Sequence, residues 1–258
     1  MHRQAWIGLG VLCALLLLSA PAAAWTPEVQ LAIAGEAGRL APPDLARQIE
    51  RHVKLYRRGV VEAFRDHDAA RHFKNPDGSG ALDRVIVEEA ARAVALIEAH
   101  RPFADVVYQL GRVAHFVADA NNPLNASQEP REERYFSDYL YYMESARPRF
   151  APVFYGVNRR LDRAPDLGGL AADAIARGRA LYPLVGKEYQ RVGRVSGRAL
   201  FDDKSTAFGV AALSYSRALS DAANALRFVW LRSGGADPRS ALISEQRLMV
   251  LPKAPAAP

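Results

Sequence analysis

His115 and Asp119 stand four residues apart in the run Leu110-Gly111-Arg112-Val113-Ala114-His115-Phe116-Val117-Ala118-Asp119. On a helix that spacing puts an imidazole and a carboxylate on one face, where both can hold a single cation. Leu110, Val113 and Val117 form the neighbouring apolar stripe, which sets such a helix into a core. Gly111, one turn before His115, leaves room for something bulky beside the pair. A hydrogen-bonded core histidine uses the same spacing, so the pair needs further ligands to become a metal site. His72, followed by Phe73, supplies a second imidazole where a helix gives way to a loop. Trp25 offers a donor of another kind. It follows Ala22-Ala23-Ala24, and cleavage there would make it the first residue of the mature chain. A free α-amino group and its own carbonyl oxygen can then close a five-membered ring on a metal.

The first 24 residues have the three parts of a secretion signal: a basic start at Arg3, an apolar stretch from Trp6 to Ser19, and small residues at the cleavage point. The apolar stretch is short for a membrane span, which takes about 20 residues. A secreted or periplasmic protein is expected. Cys13 lies within that stretch and is the only cysteine, so the mature chain has neither disulfides nor thiolate metal ligands. Any metal must rest on His, Asp, Glu and backbone groups. Removal of the leader takes Arg3 and no acid, lowering the formal charge from +6 to +5. The arginines are spread along many segments, which gives no concentrated basic stripe for nucleic acid.

The elements that must position these residues read as helices throughout. Ala, Arg, Leu and Glu dominate, and no stretch alternates with period two over a strand length. Thr26 and Pro27 mark a helix start, with Thr26 as cap, and Pro42-Pro43-Asp44 ends that helix and opens a second. Leu45, Ile49, Val53 and Tyr56 give the second its apolar stripe. Further helices are expected at about 81–99, from Pro102 to about Asn121, at 131–146, at 170–190 after Gly168-Gly169, and at 205–232. The organisation expected is a signal at 1–24, one all-α domain at 25–240, and a Pro/Ala-rich disordered tail at 241–258.

Together, Trp25, His72-Phe73 and the segment running from Leu110-Gly111 through His115 and Asp119 to Asn122-Pro123 resemble the zinc-dependent phospholipase C and S1/P1 nuclease superfamily. The resemblance implies an all-α fold, secretion, and a mature chain that begins with a metal-chelating Trp. It implies Zn2+ as cofactor, one ion here and up to three in the family. The metal ligands it implies are Trp25, His72, His115, Asp119 and Glu144, and Asp119 is also placed to orient the attacking water. A fourth ligand of the central ion is an acid, with Glu62, Asp66 and Asp68 as candidates. Three family positions depart from the pattern. Gln30 stands five residues after Trp25 where the family has a His. Asn125 replaces a His six residues after Asp119, and Leu140 breaks the His–acid pair that would end at Glu144.

The implied activity is hydrolysis of a phosphodiester, with phospholipid headgroups favoured over nucleic acid, peripheral contact with a membrane, and a monomer. The alternative is a non-catalytic descendant, a binding or structural module with at most one metal, which the three lost imidazoles favour. The remaining histidines read otherwise. His52 is a packing or capping residue, His100 meets helix-terminal carbonyls, and His67 is a lesser substitute ligand. The Asn75–Asp83 loop has Ile86 where a calcium loop needs a bidentate Glu, so it is not one. Tyr135, Tyr139, Tyr141 and Tyr142 read mainly as core packing.

Overall fold

The structure, a computed structural model, describes residues 25–66, 68–127, 133–163, 165–193, 196–238 and 248–252. The leader, His67 and most of the tail lie outside the described residues. Helices α1 (Pro27–Leu40), α2 (Pro43–Arg51), α3 (Val53–Ala63), α4 (Leu82–Glu98) and α5 (Phe103–Ala120) make the first half. Then come the one-turn α6 (Pro123–Ala126), α7 (Glu133–Ala146), the one-turn α8 (Arg160–Arg163), α9 (Leu167–Arg191) and α10 (Thr206–Arg232). The all-α class expected from the sequence is the class observed. No helix among the described residues is long and apolar enough to cross a membrane.

Proline sets several of the starts. Pro27, Pro43 and Pro123 occupy first-turn positions, where a missing N–H costs nothing. Thr26 has the extended backbone of a cap, but its hydroxyl makes no capping bond and is buried without a hydrogen-bond partner. The capping role expected for it is therefore not met. The second helix also differs from expectation, because the chain breaks at His52 (φ −112°, ψ 29°) into α2 and α3. Val53 consequently leaves the apolar stripe and is 45% exposed, while Leu45, Ile49 and Tyr56 stay buried. Gly168 and Gly169 lie inside the first turn of α9 instead of before it, since the Asp166 carboxylate accepts the Gly169 N–H at 2.9 Å.

Helix α5 is the axle of the fold. It is buried over most of its circumference and packs against α1, α3, α4, α9 and α10. A helix apolar all round belongs inside a protein, and this placement is what buries His115 and Asp119. Its crossing with α3 is unusually close. A Cβ on Gly59 would sit 2.0 Å from the Tyr108 carbonyl oxygen, and one on Gly111 would sit 2.2 Å from the Tyr56 carbonyl oxygen. The space that Gly111 was expected to leave for a ligand is thus filled by the α3 backbone. Backbone cannot retreat as a side chain can. Gly111→Ala is expected to force α3 and α5 apart and cost about 1–3 kcal/mol or more, read as a lower urea midpoint.

The sequence shows no strand pattern, yet Val153–Phe154 (β1) pairs antiparallel with Met249–Val250 (β2). A two-residue strand carries no period to read. Helix α10 holds this region with three side chains spaced four residues apart. Ser216 and Ser220 accept the Val153 and Tyr155 N–H groups at 3.1 and 3.0 Å, and Asn224 accepts that of Asn158 at 2.8 Å.

Candidate metal centre

Two elements bring the candidate ligands together. Helix α5 presents His115 and Asp119 on one face, as the spacing requires. His72 closes the 3-10 turn Ala69–His72, whose start is capped by the Asp68 carboxylate accepting the Ala70 N–H at 3.0 Å. That turn is pinned from both sides. The Ala81 N–H donates to the Ala70 carbonyl at 2.7 Å, and the Lys74 N–H donates to the Asn125 carbonyl at 2.9 Å.

The three side chains converge in the interior. His72 Nδ1 lies 2.8 Å from Asp119 Oδ2, His115 Nε2 lies 3.2 Å from the same oxygen, and the two nitrogens are 3.4 Å apart. Exposure is 5% for His72, 0% for His115 and 2% for Asp119. Zinc bonds of 2.0–2.2 Å in a tetrahedron put neighbouring donors about 3.3 Å apart. Two of the three edges come close to that figure.

The electrostatics follow from burial and proximity. Burial alone would raise the Asp119 carboxyl, but the charges and hydrogen bonds of His115 and His72 hold it below the ordinary carboxylate range. Burial works against a charge on His72, yet its hydrogen bond to Asp119 and that carboxylate's charge lift it above the usual imidazole value. A metal must therefore displace a firmly held proton. Zinc affinity is expected to fall as the pH drops from roughly 8 to 6, measured by competition with a chromophoric chelator.

The outward ring atoms, His72 Nε2 and His115 Nδ1, are buried without hydrogen-bond partners. Metal-bound imidazoles commonly donate that second N–H to an acceptor. Here aromatic contacts orient the rings instead. Phe64 meets His115 edge-on at 4.6 Å between centroids, and Phe116 lies 5.1 Å from His72 and 5.2 Å from His115. Behind Phe116 stand the Arg71 and Arg112 guanidiniums, 5.3 and 5.6 Å from its ring centre.

Those arginines belong to a network that the sequence reading missed. Glu89 is fully buried, and its carboxylate accepts from Arg71 at 2.6 Å, Arg112 at 3.0 and 3.1 Å, and Gln109 at 2.6 Å. Asp66 accepts from Arg71 and Arg112 at 2.9 and 3.0 Å. The signal was present, since Glu89 falls on the apolar stripe Leu82, Val85, Ile86, Ala90 and Ala93 of α4. A lone acid there must find cations.

The other candidate ligands fare differently. Trp25 is fully buried, and its indole N–H donates to the Ala118 carbonyl at 2.9 Å, one residue before Asp119. Gln30 reaches the centre itself, its amide donating to Asp119 Oδ1 at 2.7 Å while its own oxygen has no partner. Glu62 is taken by Arg58 and Tyr108, Asp66 by the arginine network, and Asp68 by its turn. Among the described residues only His72, His115 and Asp119 form a cluster able to hold a metal, and Glu144, half-buried on α7, is not in it. Asn125 is buried with its amide nitrogen unpartnered, and Leu140 packs partly buried against the core.

No family model matches the sequence, and no curated protein matches it. Solved structures do. The alpha-toxin of Clostridium perfringens from an avian strain superposes with a TM-score of 0.60 at 12% identity, covering 84% of this chain and 66% of the toxin chain. The alpha toxin of Clostridium absonum gives a TM-score of 0.56 at 15% identity, covering 81% and 64%. The chain thus spans about two thirds of the length of these toxins. At such identities the likeness shows a shared fold, the all-α phospholipase C type that the sequence resemblance implies.

Proposed function

We propose that this chain is a secreted, zinc-dependent phosphodiester hydrolase with a reduced metal complement, acting on phospholipid headgroups. The observation that carries the reading is the convergence of two imidazole nitrogens and one carboxylate oxygen within 3.4 Å of one another in a buried site. Three protein donors are the number found in catalytic zinc sites, which keep one position open, whereas structural sites close with four. Two imidazoles with one carboxylate also suit ferrous iron. The resemblance to the zinc-dependent superfamily and the fold shared with the clostridial toxins favour zinc.

His72, His115 and Asp119 would hold the ion. When bound, zinc supplies Lewis acidity toward a phosphoryl oxygen and lowers the pKa of water. The chain's own groups do the rest. Asp119 offers Oδ2 to the cluster and keeps Oδ1 on the Gln30 amide, so its carboxylate is fixed in plane before anything binds. Phe64 and Phe116 fix both rings and line the site with apolar surface, which strengthens charge interactions within it. Trp25 anchors the start of α1 beside Asp119 through its indole N–H, and in the proposed mature chain its freed α-amino group is the donor the family resemblance implies.

A second reading, a non-catalytic module holding at most one ion, is favoured by one feature. The Gln30 amide occupies the Asp119 oxygen that a second ion would need. Elemental analysis of the mature protein together with a phosphodiesterase assay separates the two. Bound zinc with turnover that a chelator abolishes supports the hydrolase. At most one zinc per chain with no turnover supports the module, and no metal at all overturns the hydrolase.

A further inference from the structure

We propose that a groove between α1, α2 and α3 is a second ligand site, one that takes a single long acyl chain carrying an anionic head. The groove holds about 630 Å³ and shares no residue with the metal cluster. That volume lies within the range of small-ligand clefts. Its floor is apolar, built from Leu31, Ala34, Ile49, Val53 and Val60. Val53 stands out at 45% exposure, a large aliphatic side chain that the protein itself leaves uncovered.

Glycine gives the groove its depth. Gly35 lines it on the exposed side of α1, and a Cβ added there would meet nothing within 4 Å. An alanine would fit without a clash and favour the helix by about 1 kcal/mol. Gly35 is thus not required by packing, and its effect is to leave room above the α1 backbone.

The rim supplies the charge. Arg39, Arg47 and Arg57, one from each helix, line the groove against a single acid, Glu50. Arg47 makes an exposed pair with Asp44 and Arg39 pairs with the largely buried Glu36, each within one turn of its own helix. The exposed Arg47–Asp44 pair is weak, so an anionic ligand can compete for Arg47. Arg57 has no ion-pair partner among the described residues. Arginine stems lie well along apolar surface while their heads meet an anion. Along α1, Leu31 and Arg39 are about 12 Å apart at the usual helical rise, a span over which the part of a chain nearest its head can lie on the floor with the head at the arginines.

The test titrates the purified full-length mature protein with hexadecanoate, hexadecyl phosphate and hexadecanol by calorimetry. Saturable binding of one anionic amphiphile per chain is expected, and the relative affinities of the two anions identify a carboxylate or a phosphate head. Gly35→Leu should fill the groove and weaken binding at least about tenfold, without lowering Tm or zinc content. Val53→Asp, at an exposed position, should do the same. Arg57→Glu should weaken both anions and spare the alcohol. Affinity unchanged by Gly35→Leu and Val53→Asp would overturn the proposal, as would equal affinity for the alcohol and the anions. A concentration-dependent dimer abolished by Gly35→Leu would assign the groove to a second copy of the chain and overturn it as well. Because zinc content and phosphodiesterase activity are read on the same variants, failure here is distinguishable from failure of the hydrolase reading.

Discussion

His115→Ala is expected to strip the centre of its metal and to destabilise the fold at once. Substitution of groups that merely support a metal ligand costs 10–100-fold in affinity, so deleting one of three ligands should weaken zinc by more than about 100-fold. The stability loss has two sources. The ring fills space against Phe64 and Phe116, so its removal leaves a cavity. It also leaves Asp119, a buried carboxylate, with His72 and Gln30 as its remaining partners. Breaking buried charge pairs in this way costs about 3–5 kcal/mol. Urea unfolding and zinc analysis of the same sample check both effects. A folded variant with undiminished zinc would remove the assignment.

An effect of similar size is expected far from any ligand atom, at Glu89. Glu89→Ala deletes the acceptor shared by Arg71, Arg112 and Gln109 and leaves two largely buried guanidiniums with Asp66 alone. A loss of about 3–5 kcal/mol is expected on urea unfolding. The pH dependence follows from the same contacts. Burial would raise the Glu89 carboxyl, but the hydrogen bonds from Arg112 and Gln109 and the nearby guanidinium charges hold it below its ordinary value of 4.5. A carboxyl with a depressed folded pKa contributes stability that is complete above its unfolded pKa. That contribution is lost as the pH falls through the folded value. Stability should therefore drop below about pH 4.5, and Glu89→Gln should flatten that drop. Asp66, also held low by Arg112 and Arg71 against the effect of burial, adds in the same direction. An acid limb unchanged by Glu89→Gln would show that the network does not carry the pH dependence.

What could be read from the sequence follows a physical line. Helix starts at Pro27 and Pro43 were legible because proline acts locally through its own φ and missing N–H, whereas Pro123, which the sequence marks as the end of one helix, also opens the one-turn α6. His115 and Asp119 were legible because helical spacing alone sets their common face. His72 needed no more than a place near a helix end. The misreadings all depend on what lies opposite. Gly111 signals close approach, but only the fold tells whether a ligand or the Tyr56 carbonyl comes near. Thr26 has a cap's sequence and backbone, while its hydroxyl turns into the interior. Leu45, Ile49, Val53 and Tyr56 share one helical period, yet a change of direction at His52 ends it. Gln30 was located by counting from Trp25, and the structure does bring it to Asp119. That it would donate to the carboxylate and hold one oxygen could not be counted out.

The attachment of β1 to α10 has a bearing on solubility. One side of the Val153–Phe154 segment is fastened by Ser216 and Ser220, and the other is covered by Met249 and Val250, with the Leu251 N–H on the Pro152 carbonyl at 2.8 Å. Shortening the chain before residue 248 would bare that side as an unprotected sheet edge, and a bare edge recruits any other extended chain. With those residues in place the outer edge passes to β2, a strand of two residues, too short to template another chain even with Leu248, Met249 and Val250 exposed.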